Sequence, residues 1–210
     1  MFRIWVRSST KWFILLGVGL LIAFVAVLGS RIWTTAYTFN GTALEPPQDV
    51  PDIVGVNWDG TPFRLRDLKG NIVLLFFGYT SCPDVCPTTL GEMQTLYTEL
   101  GQQAAEVKVI FITVDPERDS VERLAQYVPA FNADFLGVYL EPEELEAVKQ
   151  AYGIYAQKAE YEDNQTAAGY LVDHTAAVSV IDQTGNRRLV FSFGTTAEEM
   201  VQDIRYLLGS

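Results

Sequence analysis

Cys82 and Cys86 are the only cysteines of this 210-residue chain, and His174 is its only histidine. The two thiols stand in Tyr79-Thr80-Ser81-Cys82-Pro83-Asp84-Val85-Cys86-Pro87-Thr88. This turn lies between an apolar run, Ile72 to Phe77, that predicts a strand and a stretch, Thr88 to Leu100, that predicts a helix. Side chains four apart share a helix face, and a helix N-terminus favours thiolate over thiol. The turn therefore suits disulfide exchange, soft-metal binding or attack on a peroxide. A purely structural disulfide is a weaker reading, because closing so short a loop removes little entropy from the unfolded chain.

His174 lies 88 residues after Cys86, in Tyr170-Leu171-Val172-Asp173-His174-Thr175. Two thiolates and one imidazole form a soft to borderline donor set that suits Cu(I) or zinc. A closed structural zinc site takes four protein ligands, and the chain has no third cysteine or second histidine to complete one. Three such ligands fit Cu(I), which accepts trigonal coordination, better than zinc. Asp173 is a candidate to orient the site from outside the ligand set.

The elements that must position these groups follow from pattern. Val107 to Val114 and Phe135 to Leu140 predict two more strands. Asp52 to Val56 and Pro62 to Leu65 flank Asp59-Gly60 as a hairpin, and Ala176 to Asp182 with Arg187 to Phe193 form another. Helices are predicted from a cap at Asp119 or Ser120 to Val128, over Glu141 to Tyr152, and over Thr196 to Leu208 capped by Thr195 or Thr196. Tyr155 to Gly169 reads as a long polar loop, placed to carry His174 toward or away from the thiols. Alternating strands and helices ending in a hairpin and a helix imply a three-layer α/β domain with a mixed central sheet. In such folds ligands gather at the C-terminal ends of strands, where the cysteine turn lies.

Ahead of the domain, Trp12 to Gly29 is an uncharged apolar run flanked by Arg3, Arg7 and Lys11 before it and Arg31 after it. Its length is just enough to span a bilayer, so residues 1–33 are expected to form a cytoplasmic tip and a transmembrane signal-anchor. A cleaved secretory signal is the competing reading, since Val27 and Gly29 could serve a peptidase. Either way the rest of the chain is exported, to a compartment where disulfides persist. Residues 34–51, with a Pro-Pro step and no periodicity, are expected to be a tether, and 52–210 the folded domain. Four of the fifteen basic side chains precede residue 45 and none of the twenty-six acids does, which leaves eleven bases against twenty-six acids from residue 45 onward. A surface that acidic disfavours nucleic acid as a partner.

The combination of Cys-Pro-Asp-Val-Cys-Pro, Val114-Asp115-Pro116-Glu117-Arg118-Asp119-Ser120 and Val172-Asp173-His174-Thr resembles the Sco/SenC proteins, from about Pro51 to the C-terminus. The resemblance implies a thioredoxin-like fold and Cys82, Cys86 and His174 as ligands of copper, as Cu(I), Cu(II) or both. It further implies delivery of that copper to the CuA centre of cytochrome c oxidase subunit II during oxidase assembly, with an upstream copper donor or thiol reductant as a further partner. The location implied is a single-pass anchor, with the domain on the exported side of a bacterial inner membrane, facing the periplasm or the outer face. Asp115, Arg118 and Asp119 carry over as a structural or partner-facing element and not as ligands.

Other chemistries use the same residues. A thiol-disulfide oxidoreductase would act through Cys82 and Cys86 as a redox pair, although thioredoxin itself spaces its thiols by two residues and not three. A copper or redox sensor would need the same site. Val85-Cys86-Pro87-Thr88 looks like a peroxiredoxin segment, but that family has Thr three residues before the cysteine, where Pro83 stands.

Overall fold

A computed structural model describes residues 6–32, 37–159 and 170–209, and within the first of these the side chains of residues 12–25. The chain divides into two compact units, Met1–Thr38 and Phe39–Ser210. In the first, helix α1 runs over Val6–Ile32. Its apolar side chains from Trp12 to Val25 are exposed. Among the described residues no helix is long and apolar enough to cross a membrane.

In the second unit the elements are β1 (Thr42–Asp49), β2 (Val54–Asn57), β3 (Pro62–Arg64), β4 (Ile72–Gly78), α2 (Val85–Leu100), β5 (Val107–Thr113) and α3 (Val121–Tyr127). They continue as β6 (Leu136–Tyr139), α4 (Pro142–Tyr152), β7 (Ala156–Lys158), β8 (Val172–His174), β9 (Ala177–Ile181), β10 (Asn186–Ser192) and α5 (Ala197–Leu208). One eight-stranded sheet has the order β1-β10-β9-β4-β5-β6-β2-β3, and β7 and β8 form a separate two-stranded sheet. β4, β5 and β6 run parallel, and the other pairings in the sheet are antiparallel. The sheet is therefore mixed, as the order of elements predicts.

β4 lies at its centre. Every residue from Ile72 to Gly78 is buried, which a strand covered on both faces requires. Successive side chains alternate between faces. Phe77 meets Tyr152 of α4 at 6.0 Å between ring centres, while Phe76 meets Phe111 of β5 at 5.9 Å. Helices α2 and α5 pack on each other. Ser120 caps α3 by accepting from the Arg123 N–H, and Thr196 with Glu199 forms a capping box at α5.

Three stretches differ from the sequence reading. Thr42–Asp49, expected within the tether, is an edge strand paired with β10, Thr42 opposite Val190 and Asp49 opposite Asn186. Its register breaks between Ala43 and Gln48, around Pro46-Pro47. An edge strand tolerates prolines because its outward N–H groups have no ladder partner to lose. The strand is mostly exposed, so it carries no apolar period to read. Just before it, the N–H groups of Asn40 and Gly41 donate to the fully buried carboxylate of Asp203 on α5. Helix α2 begins at Val85, three residues earlier than expected, which brings Cys86 into its first turn. Part of the expected Tyr155 to Gly169 loop is β7; residues 160–169, and with them the loop-carrying idea, lie outside the described residues.

Candidate metal centre

The cysteine turn leaves the sheet at the C-terminal end of β4. Cys82 donates its N–H to the Tyr79 carbonyl at 3.2 Å, closing the turn. The first-turn N–H groups of α2 need acceptors, and the side chain of Asp84, at the N-cap, accepts from none of them. The Cys86 N–H instead donates to Cys82 Sγ at 3.4 Å, so a sulfur does the capping. Cys86 is fully buried and Cys82 half-buried, and both are free thiols.

Strand register brings His174 to them. β9 runs antiparallel to β4 with Val178 opposite Phe76, so the residues just before β9 lie just beyond Gly78. There His174 Nε2 comes within 3.5 Å of Cys86 Sγ. His174 Nδ1 lies 3.2 Å from the Thr175 carbonyl, which can only accept. That bond assigns the proton to Nδ1 in the neutral ring and leaves the Nε2 lone pair facing the sulfurs. The ring also meets Tyr79 edge-on, 5.6 Å between centres. Orientation thus comes from the Thr175 carbonyl and Tyr79, not from Asp173. Asp173 is exposed on β8 and lines the same cleft as His174, and the ring's described hydrogen-bond partners are Cys86 and Thr175.

All three expected ligand atoms, from Cys82, Cys86 and His174, lie within 4.8 Å of one another. Around a trigonal ion with bonds of ~2.3 Å the donors would stand about 4 Å apart, so the set closes on an ion by small movements. A cleft of about 230 Å³, lined by Tyr79, Pro83, Val85, Leu171 and Ala176 among others, opens on Cys82 and His174.

Electrostatically the two thiols are unlike. The Cys86 thiol donates toward Cys82 and lowers the Cys82 pKa to about 3, with further help from the Asp84 and Cys86 N–H groups against the opposing effect of burial. Cys86 is pushed up by that same bond and by burial. The pair holds one proton between two sulfurs. Burial raises the Tyr79 hydroxyl to about 12, so Tyr79 stays neutral beside them. A lowered pKa keeps Cys82 ionised above about pH 3 and extinguishes the thiolate only below it. In the reduced, metal-free protein, iodoacetamide at pH 5 should therefore alkylate Cys82, while Cys86 stays unmodified. Mass spectrometry of the labelled peptide checks this; equal labelling of both thiols, or none before pH 8, would contradict the shared-proton pair.

Two residues outside the ligand set support the thiols. A Cβ at Gly78 would meet Cys86 Sγ and Phe111 at 2.7 Å, so only glycine lets the sulfur sit against the strand end. An isolated glycine closing an apolar strand beside a cysteine motif is the available signal. Asp119 is fully buried and accepts from the Thr80 N–H (2.9 Å), the Thr80 hydroxyl (2.5 Å) and the Thr113 hydroxyl (2.7 Å). The sequence offers it as a helix cap; the fold uses it to tie the thiol loop to β5.

Comparison with known proteins matches this arrangement. The SCO1/SenC family profile covers residues 46–209. A SCO2-like protein of Rickettsia typhi is 32% identical over 151 residues, 71% of this chain and 73% of that one. The solution structure of apo Sco1 from Thermus thermophilus superposes with a TM-score of 0.71 at 39% identity, covering 82% of this chain and 99% of that one. Bradyrhizobium japonicum ScoI, solved with copper bound, superposes with a TM-score of 0.67 at 34% identity, covering 76% and 99%. With that extent of match and this mixed α/β, thioredoxin-like domain, the chain belongs to the SCO1/SenC family.

Proposed function

We propose that this chain is a copper metallochaperone whose cargo is held by Cys82, Cys86 and His174 and is delivered to the CuA centre of cytochrome c oxidase subunit II. The observation that carries the reading is the convergence of two sulfurs and one imidazole nitrogen within 4.8 Å, with Cys82 and His174 lining an open cleft and Cys86 buried behind them. Soft thiolates favour Cu(I), and the related ScoI structure was solved with copper bound.

Delivery follows from the unequal ligands. Cys82 faces the cleft and is already ionised, Cys86 is buried, and His174 sits on a small strand pair outside the main sheet. An incoming thiolate of the acceptor would displace the neutral imidazole first, then Cys82, then Cys86. Each exchange replaces one donor by another, so copper changes owner without changing oxidation state.

The apolar run Trp12 to Gly29 with its basic flanks supports an N-terminal single-pass anchor, the domain lying on the exported side of the membrane. The test uses the full chain reconstituted in lipid vesicles and loaded with Cu(I), mixed with the apo CuA domain of an oxidase subunit II. Flotation of the chain with the vesicles and appearance of copper in the acceptor are expected. A chain left in the soluble fraction overturns the anchor; copper that stays on the chain overturns delivery.

A second reading has its own observation. An ionised Cys82 beside a protonated Cys86 is the arrangement of an attacking and a resolving thiol, so reduction of an acceptor disulfide uses the same pair.

A further inference from the structure

Strand β8, which carries His174, pairs only with the three-residue β7 in the described structure. Two strands by themselves are marginal in water, so side-chain contacts must fix the histidine arm. The turn Asp115-Pro116-Glu117-Arg118-Asp119 touches both ligand-bearing segments. Asp119 holds Thr80, two residues before Cys82. Arg118 holds the other side.

Its Nη1 donates to the Tyr170 carbonyl at 2.7 Å, and its guanidinium lies 3.7 Å from the centre of the Tyr170 ring. The same guanidinium lies 5.6 Å from the Tyr79 ring, which meets His174 edge-on and accepts the Val172 N–H at its hydroxyl. Arg118 Nε donates to Asp115, whose side chain is 3% exposed and whose other oxygen accepts from the Tyr170 hydroxyl at 2.7 Å. One planar cation thus binds the start of the histidine arm and the aromatic ring on which the imidazole rests. A lysine offers neither the flat stacking face nor the rigid fork.

We propose that Arg118 is a positioning residue that seats the His174 arm over the thiol pair, a role that rests on the three-ligand copper reading. Arg118 does not touch the metal; it acts through Tyr170, Tyr79 and hence the imidazole.

The test is a double-mutant cycle on the full chain, reading Cu(I) affinity by competition with a chromophoric chelator for wild type, Arg118→Lys, His174→Ala and the double variant. Arg118→Lys should weaken Cu(I) about 10-fold, at the lower end of the effect of partners outside a ligand set. In the His174→Ala background it should have no further effect. The Cu(II) paramagnetic spectrum of Arg118→Lys should also lose nitrogen coupling in part, a signature that general loosening of the fold would not move. Arg118→Gln, neutral and unable to repeat the stacking, should give the same pattern. An equal loss in both backgrounds makes Arg118 merely structural, and an unchanged affinity in the Arg118 variants removes its role altogether. If His174→Ala itself leaves affinity unchanged, the three-ligand reading falls and takes this one with it.

Discussion

His174→Ala lowers Cu(I) affinity by more than about 100-fold, beyond the ~10–100-fold that partners outside a ligand set account for. The imidazole is the one donor in the site that is not a sulfur, and its lone pair is aimed there by the Thr175 carbonyl. Alanine leaves two thiolates and a gap that water fills poorly for a soft ion. The same variant should leave dithiol chemistry largely intact, because the Cys86 thiol, not His174, is the main cause of the low Cys82 pKa. Chelator competition and the rate of reduction of a model disulfide, measured side by side, therefore separate the two uses of the cysteines. Affinity that survives the substitution would leave the thiols as a redox pair and nothing more.

Asp119→Ala costs roughly 3–5 kcal/mol of stability, which for a domain of this size is about 10 °C in Tm. Three donors, two from Thr80 and one from Thr113, converge on a carboxylate with no solvent exposure. Removing it strands all three where water does not reach, and leaves the Arg123 Nε, which donates to the Thr80 hydroxyl at 3.0 Å, bound to an unsupported group. Denaturant unfolding of the reduced, metal-free protein reads the loss free of any stabilisation by copper. Because Thr80 precedes Cys82 by two residues, copper affinity should fall as well. A change below ~1 kcal/mol would mean that the network is replaceable, and that Asp119 is a surface feature that the fold has only happened to cover.

The two results differ in kind. Loss of His174 removes a donor from an intact frame, whereas loss of Asp119 loosens the frame that aims the donors. Arg118 stands between them, since it belongs to the same turn as Asp119 but grips the histidine side of the site. A family motif that looks from its residues like a helix cap is thus, in three dimensions, the bridge between the two halves of a metal centre.

What the sequence alone determined is whatever local pattern encodes. Ile72 to Phe77 is apolar throughout and becomes the buried central strand; Ser120 and Thr196 cap helices because a short hydroxyl side chain satisfies N–H groups a few residues away. With two cysteines and one histidine in the whole chain, composition alone offered a single candidate set of thiol and imidazole donors. The tertiary structure decided the rest. An eight-residue edge strand with little burial has no period to announce it, and its place beside β10 is set by pairing across the whole domain. The sequence offered Asp173 as a candidate to orient the site, whereas the partner that the fold gives the ring's Nδ1 is the Thr175 carbonyl, a backbone group that no residue type reveals. Most of all, the 3.5 Å between Cys86 and His174 is a product of β9 pairing antiparallel with β4. Register between strands a hundred residues apart is a property of packing, because hydrogen-bonded ladders and a shared core select it and no local stretch contains it.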